Sequence, residues 1–180
     1  MGFLLFPGGG AIALPAGVMA SKTPALPGYA VTLTAYNAVA AQTDNDPSVT
    51  ASGAVSNPEV VAARSRDLAD ELPFGTVIEI DGASASGACG YDIVRPIIGY
   101  RVIADTMNAR YTNRIDVLFS TKSNYTLAGG NVKNAGTVLG ICDGITVRVV
   151  GHIDINHVPK TQTELAAIVG GPGKNIALSK

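Results

Sequence analysis

The most regular stretch of the chain is residues 30–36, where Val31, Leu33 and Ala35 alternate with Thr32, Thr34 and Tyr36. A period of two puts the apolar set on one face and the polar set on the other, so the segment predicts a half-buried strand. Residues 42–48, rich in Gln, Thr, Asp, Asn and Pro, read as a surface loop, and 49–53 as a short extended piece. Asn57-Pro58 could cap a helix, but Val60, Val61, Ala62 and Ala63 form a short apolar run. That segment is assigned as a strand, followed by a helical turn within 66–72 that stops before Pro73. Strands are predicted over 76–80, 100–104 and 115–119, with a Gly/Ser/Ala-rich insertion holding Cys89 between the first two. Residues 122–139 suggest one or two short helices broken at Gly129-Gly130, and 145–155 reads as one long strand or two that meet near Gly151. Thr161 and Glu164 have capping-box spacing and open a helix through Val169, which Gly170, Gly171 and Pro172 end. Short strands with irregular connections predict an all-β barrel carrying small helices, and no internal repeat is evident.

Composition narrows the function classes. Hydrophobic residues make up 47% of the 180 and charged residues 15%, with 21 Gly and 10 Pro, as in a folded, turn-rich chain. One domain with extensions fits this length: an apolar arm over 1–29, a barrel domain over 30–156 and a helical C-terminal extension over 157–180. A formal charge of -1 without a basic cluster, and no aromatic ladder among the Lys and Arg residues, argues against nucleic acid as a partner. Residues 1–21 carry no charge, yet Gly2, Gly8, Gly9, Gly10, Gly17, Pro7 and Pro15 disfavour a membrane-spanning helix, so no transmembrane anchor is expected. Val18 and Ala20 before Ser21 have the form of a signal-peptidase site, but no Lys or Arg precedes the apolar stretch. The arm is expected to make intermolecular or extended contacts, and the C-terminal extension is a second candidate surface for protein partners.

Several short motifs dissolve on inspection. The Gly-Gly-Pro-Gly-Lys run at 170–174 has Ile168 and Asn175 where a phosphate loop needs Gly and Ser or Thr, and reads as a turn. Phe6 stands where a myristoylation signal needs Ser or Thr. His152, Asp154 and Asn156 would share one face of a continuing strand, a spacing that polar alternation on an exposed face produces more often than a metal site does. Asp44-Asn45-Asp46 lacks the glycine and distal glutamate of a calcium loop. Neither metal nor cofactor is expected. Cys89 and Cys142, the two cysteines, are compatible with one disulfide in an oxidising compartment or with two unlinked thiols.

The informative stretch is 100–119, where Asp105 closes one apolar strand and Asp116 sits inside the next, with a polar loop between. Such carboxylates serve a site or, more blandly, accept backbone N–H bonds in turns; Arg101, Arg110 or Arg114 could neutralise either.

Thr34-Ala35-Tyr36, Val49 through Gly53, Val61-Ala62-Ala63 with Arg66-Asp67-Leu68, Phe74-Gly75-Thr76, Ala104-Asp105-Thr106 and Asn113-Arg114-Ile115-Asp116 follow one another in this chain. This order resembles the 3D domain, a family named for three aspartates, which fall here on Asp67, Asp105 and Asp116. The resemblance covers roughly residues 30–150. One departure is Met107-Asn108, where many members have Gly-Gly after Asp-Thr. The family is similar to the catalytic barrel of membrane-bound lytic transglycosylase A and to barwin and rare lipoprotein A barrels. It implies a six-stranded double-psi β-barrel that cleaves the β-1,4 bond between N-acetylmuramic acid and N-acetylglucosamine of peptidoglycan, with a 1,6-anhydro product and no metal or nucleotide. Under it, Asp116 is the acid/base and Asp105 the neighbouring carboxylate that raises its pKa or stabilises oxocarbenium-like charge. Tyr36 and Thr50 would orient them, Asp67 is the third family aspartate, and Asn113 or Arg114 would hold sugar or peptide groups. The rival expectation is a non-catalytic structural or glycan-binding component, such as part of a phage tail or baseplate. The corresponding locations are the extracytoplasmic cell wall or a virion.

Overall fold

The computed structural model describes residues 27–43, 46–87 and 89–171. Six strands close a barrel: β1 (Gly28–Asn37), β2 (Val61–Arg64), β3 (Thr76–Asp81), β4 (Arg101–Thr106), β5 (Arg114–Phe119) and β8 (Cys142–His152), in the order β1-β5-β2-β4-β3-β8. β1/β5 and β2/β4 are parallel, and the remaining four neighbours are antiparallel. β5 lies between the consecutive strands β1 and β2, while β2 lies between the consecutive strands β4 and β5. This reciprocal insertion is what the double-psi expectation requires, and closure leaves the barrel without an open sheet edge. A hairpin of β6 (Asn124–Thr126) and β7 (Val132–Asn134) stands outside it, with short helices α1 (Tyr91–Val94), α2 (Ala135–Leu139) and α3 (Gln162–Gly170).

Strand alternation divides the apolar residues into two clusters. Val31, Leu33, Ala62, Ile78, Ile103, Ile115, Val117 and Ile145 point into the barrel. Val61, Val102, Ala104 and Leu118, one residue out of phase on the same strands, form a second cluster on the outer face, where Leu165 and Val169 of α3 cover it. The capping box that starts α3 is complete, with Thr161 accepting from the Glu164 N–H and the Glu164 side chain reaching back.

Two parts differ from the sequence expectation. Residues 122–139 form the β6/β7 hairpin before α2, because Gly129 and Gly130 both adopt positive φ and turn the chain instead of breaking a helix. β8 ends at His152, so Asp154 caps a 3-10 turn (Ile155–His157), accepting from Asn156 N and pairing with His157 Nδ1 at 2.8 Å, rather than sharing a strand face with His152 and Asn156. β1 begins at Gly28, within the span assigned to the arm; expectations for residues 1–26, for Asp44 and Asn45, and for 172–180 lie outside the described residues. No helix among the described residues is long and apolar enough to cross a membrane. Cys89 and Cys142 are joined, with α-carbons 4.8 Å apart, and fasten the insertion after β3 to the start of β8. Arg101 is fully buried. Its guanidinium donates to the carbonyls of Ile97, Ile98, Pro58, Val61 and Leu118, so it holds β4 against its neighbours and neutralises neither aspartate.

Candidate functional site

Strand register sets out the site. Thr34 of β1 pairs with Asp116 of β5, Asp116 with Ala63 of β2, and Ala63 with Asp105 of β4. Paired residues face the same way, so the four side chains form a row on the outer face of the barrel, beside the second apolar cluster. The two aspartates are two strand spacings apart, about 10 Å between backbones, and Ala63 between them contributes only a methyl group. A register shift between Ala62 and Ala63 marks a bulge on β4 just before Asp105, the device by which sheets re-aim a side chain.

The two carboxyl groups live in different surroundings. Asp105 accepts from Tyr36 Oη at 2.8 Å, from the Ala51 N–H at 2.9 Å and from its neighbour Thr106 N–H at 2.8 Å. Tyr36 is thus tied to Asp105, and burial in the first place, then the Asp105 charge, raises the phenol's pKa. Asp116 has no such set of donors. Burial pushes its pKa up to about 6; the Thr34 hydroxyl and the Arg114 guanidinium pull it down, and the Asp105 charge adds the smallest push upward. Desolvation, more than the neighbouring carboxylate, thus keeps the proton. Among the described residues, Asp116 Oδ1 and Arg114 Nε are the buried side-chain polar atoms without a hydrogen-bond partner. They are two residues apart on one strand and so emerge on the same face.

The remaining expected residues act one step away. The Thr50 hydroxyl bonds to neither aspartate. Its hydroxyl meets Ser52 Oγ at 3.0 Å and donates to the Ala54 carbonyl at 3.1 Å, which fixes the turn that presents the Ala51 N–H to Asp105. Asp67 accepts from the Asn113 N–H at 2.8 Å, and the Ser65 hydroxyl beside it holds its carboxyl below the usual range. Ser65 Oγ accepts from the Arg114 N–H at 3.0 Å. Together they anchor Asn113, whose φ of 48° is the one positive value among described non-glycine residues, at the start of β5. Asp67 is a buttress of the strand that carries Arg114 and Asp116, not a third member of the row. Sequence reasoning missed the Ala51 amide and Ala63; a backbone donor leaves no residue-type signal, and a small residue between two carboxylates is legible only once the register is known.

A concavity of about 450 Å³ lies elsewhere, lined by Glu79, Tyr91, Arg95, Tyr100 and Gln162 among others. Gln162, its amide, is committed to the backbone of Glu59 and Tyr100, which makes it a seam between α3 and the barrel. Neither a family model nor a curated protein matches the sequence.

Proposed function

We propose that this barrel acts on peptidoglycan as a lytic transglycosylase, cleaving the β-1,4 bond between N-acetylmuramic acid and N-acetylglucosamine. The carrying observation is the buried Asp116 carboxyl, pushed up to about 6 and with Oδ1 free of protein partners, beside a separately held Asp105. A carboxyl in that range still holds a proton in mildly acidic solution, well above the usual carboxylate range, and can give it up. Asp116 protonates the glycosidic oxygen as the bond to the anomeric carbon breaks. The resulting carboxylate takes the proton of the muramoyl 6-hydroxyl, whose oxygen closes on the same carbon and leaves the 1,6-anhydro product. Because the nucleophile belongs to the substrate, one acid/base suffices and intramolecular attack supplies the proximity. Asp105, held by Tyr36 and the Ala51 amide, is placed to support the positive charge that develops on the ring. The disulfide fits an oxidising location, such as the cell wall or a virion.

The test is incubation of the full chain with purified sacculi and mass spectrometry of the soluble products. Anhydro-muropeptides from wild type, lost in Asp116→Asn, are the expected result. Wild type that binds sacculi and releases nothing, with Asp116→Asn binding equally well, would decide for a structural or glycan-binding role.

A further inference from the structure

The loop between β4 and β5 places two arginines on one aromatic ring. The Arg110 guanidinium lies 4.7 Å and that of Arg114 5.0 Å from the Tyr111 ring centroid, and Arg110 Nη2 donates to Tyr111 Oη at 2.7 Å. The loop is closed on itself: Asn108 accepts from the Arg110 N–H through its side chain and from the Tyr111 N–H through its carbonyl. Neither arginine is in an ion pair among the described residues, although the Arg114 guanidinium is near enough to Asp116 to draw its pKa down. The ion pairs among the described residues involve Arg148 and His157, while Asp67 and Asp105 are spent on backbone amides. Two guanidinium groups held on one ring concentrate positive charge there, which favours an anion at this place. Arg114 also carries the buried, unpartnered Nε and lies two residues before Asp116 on the same strand face. An unpartnered donor on the face that carries the acid calls for an acceptor that the described residues do not supply.

We infer that Arg110, Tyr111 and Arg114 form a subsite for a carboxylate borne by the saccharide chain, next to the bond that Asp116 addresses. Guanidinium forks match a carboxylate in two-point geometry, and contact with the Tyr111 ring steadies both side chains before the ligand arrives. This deepens the glycan-cleaving reading and rests on it for the identity of the polymer. On peptidoglycan the carboxylate comes from the stem peptide or, where the peptide has been removed, from the lactyl group.

Three soluble probes separate these sources: peptide-bearing glycan strands, the same strands stripped by an amidase, and neutral N-acetylglucosamine oligomers. Calorimetric binding to the full chain should favour at least one anionic preparation over the neutral oligomers by about tenfold, the worth of one charge-assisted pair. Preference for the first assigns the stem carboxylates, and preference for the second assigns the lactyl group. Arg110→Gln, on an exposed loop position, should erase the preference while neutral-oligomer affinity stays within about twofold, Arg110→Lys should keep part of it, and added salt should weaken it. Equal affinity for all three probes, no measurable binding to either anionic one, or a preference that survives both Arg110→Gln and Arg110→Glu would overturn the subsite. Product release is scored separately: an Arg110-dependent preference without release leaves the subsite standing and sinks the lytic reading, while release without preference does the reverse.

Discussion

Replacing Asp116 by Asn tests the electrostatics of the site without any substrate. In the folded protein the carboxyl is pushed from 3.8 to about 6, chiefly by burial. Moving a carboxyl that far corresponds to about 3 kcal/mol between its protonated and ionised states. The direction follows from proton counting. Between pH 4 and 6 the folded chain holds this proton more tightly than the unfolded chain does, so stability falls as pH rises through that window. Below about 4 both states are protonated and the contribution is intact; above about 6 it is lost. Asn keeps the shape and never ionises, so Asp116→Asn should match wild type near pH 3.5 and exceed it by up to about 3 kcal/mol at pH 7.5. Urea unfolding of both proteins from pH 3.5 to 8 gives the difference. Asp46, Asp67, Asp81 and Asp154, whose pKa values are lowered, act in the opposite sense but equally in both proteins, and cancel. A flat difference across that range, or a variant less stable than wild type at pH 7.5, would refute the buried-acid argument.

Arg101→Ala should cost at least about 3 kcal/mol, because five carbonyls lose a buried charged donor, and Arg101→Lys should recover little of it; a shift of the urea midpoint equivalent to under 1 kcal/mol would contradict this. The Cys89→Ser, Cys142→Ser double variant should lose about 4 kcal/mol on chain-entropy grounds, since the bond closes a separation of 53 residues; unchanged stability under oxidising conditions would count against the link. Asp105→Asn retains one acceptor oxygen for three donors, so it should loosen Tyr36 and the Ala51 turn and cost about 1 to 3 kcal/mol. Its product release should fall less completely than that of Asp116→Asn, and the reverse order would exchange the roles of the two carboxylates.

What the sequence made legible was local. The alternation of Val31, Leu33 and Ala35 with Thr32, Thr34 and Tyr36 placed the faces of β1 correctly, because period two is a property of the strand alone. The Thr161 and Glu164 pair marked the start of α3 for the same reason, since both partners lie in one turn. The glycine pair at 129 and 130 was ambiguous, as positive φ serves a hairpin turn and a helix stop equally, and only the pairing of Asn124–Thr126 with Val132–Asn134 decides between them. Arg101 was legible as a charge near two aspartates but not as a core residue. Its carbonyl partners come from segments as far away as Pro58 and Leu118, and no local pattern announces such an assembly.

The two aspartates show the same limit in chemical form. Asp105 ends an apolar run and Asp116 precedes one, and both are Asp, so the local pattern offers no ground for giving them different acidities. The difference in their surroundings comes from where the barrel puts them. Asp105 stands at the end of β4 beyond a bulge, where the Ala51 turn and the Tyr36 hydroxyl reach it and fill both oxygens. Asp116 stands in the middle of β5, between strands on both sides, where few donors reach it and burial falls on the charge itself. A group whose oxygens are already engaged is suited to fixed electrostatic support, because using it as an acid would mean breaking those bonds at the moment of reaction. A group with one open oxygen and a retained proton can pass that proton to a ligand atom without such rearrangement. Reciprocal insertion of β2 and β5 brings the two environments into one row, so the topology, rather than any pair of neighbouring residues, sets them apart.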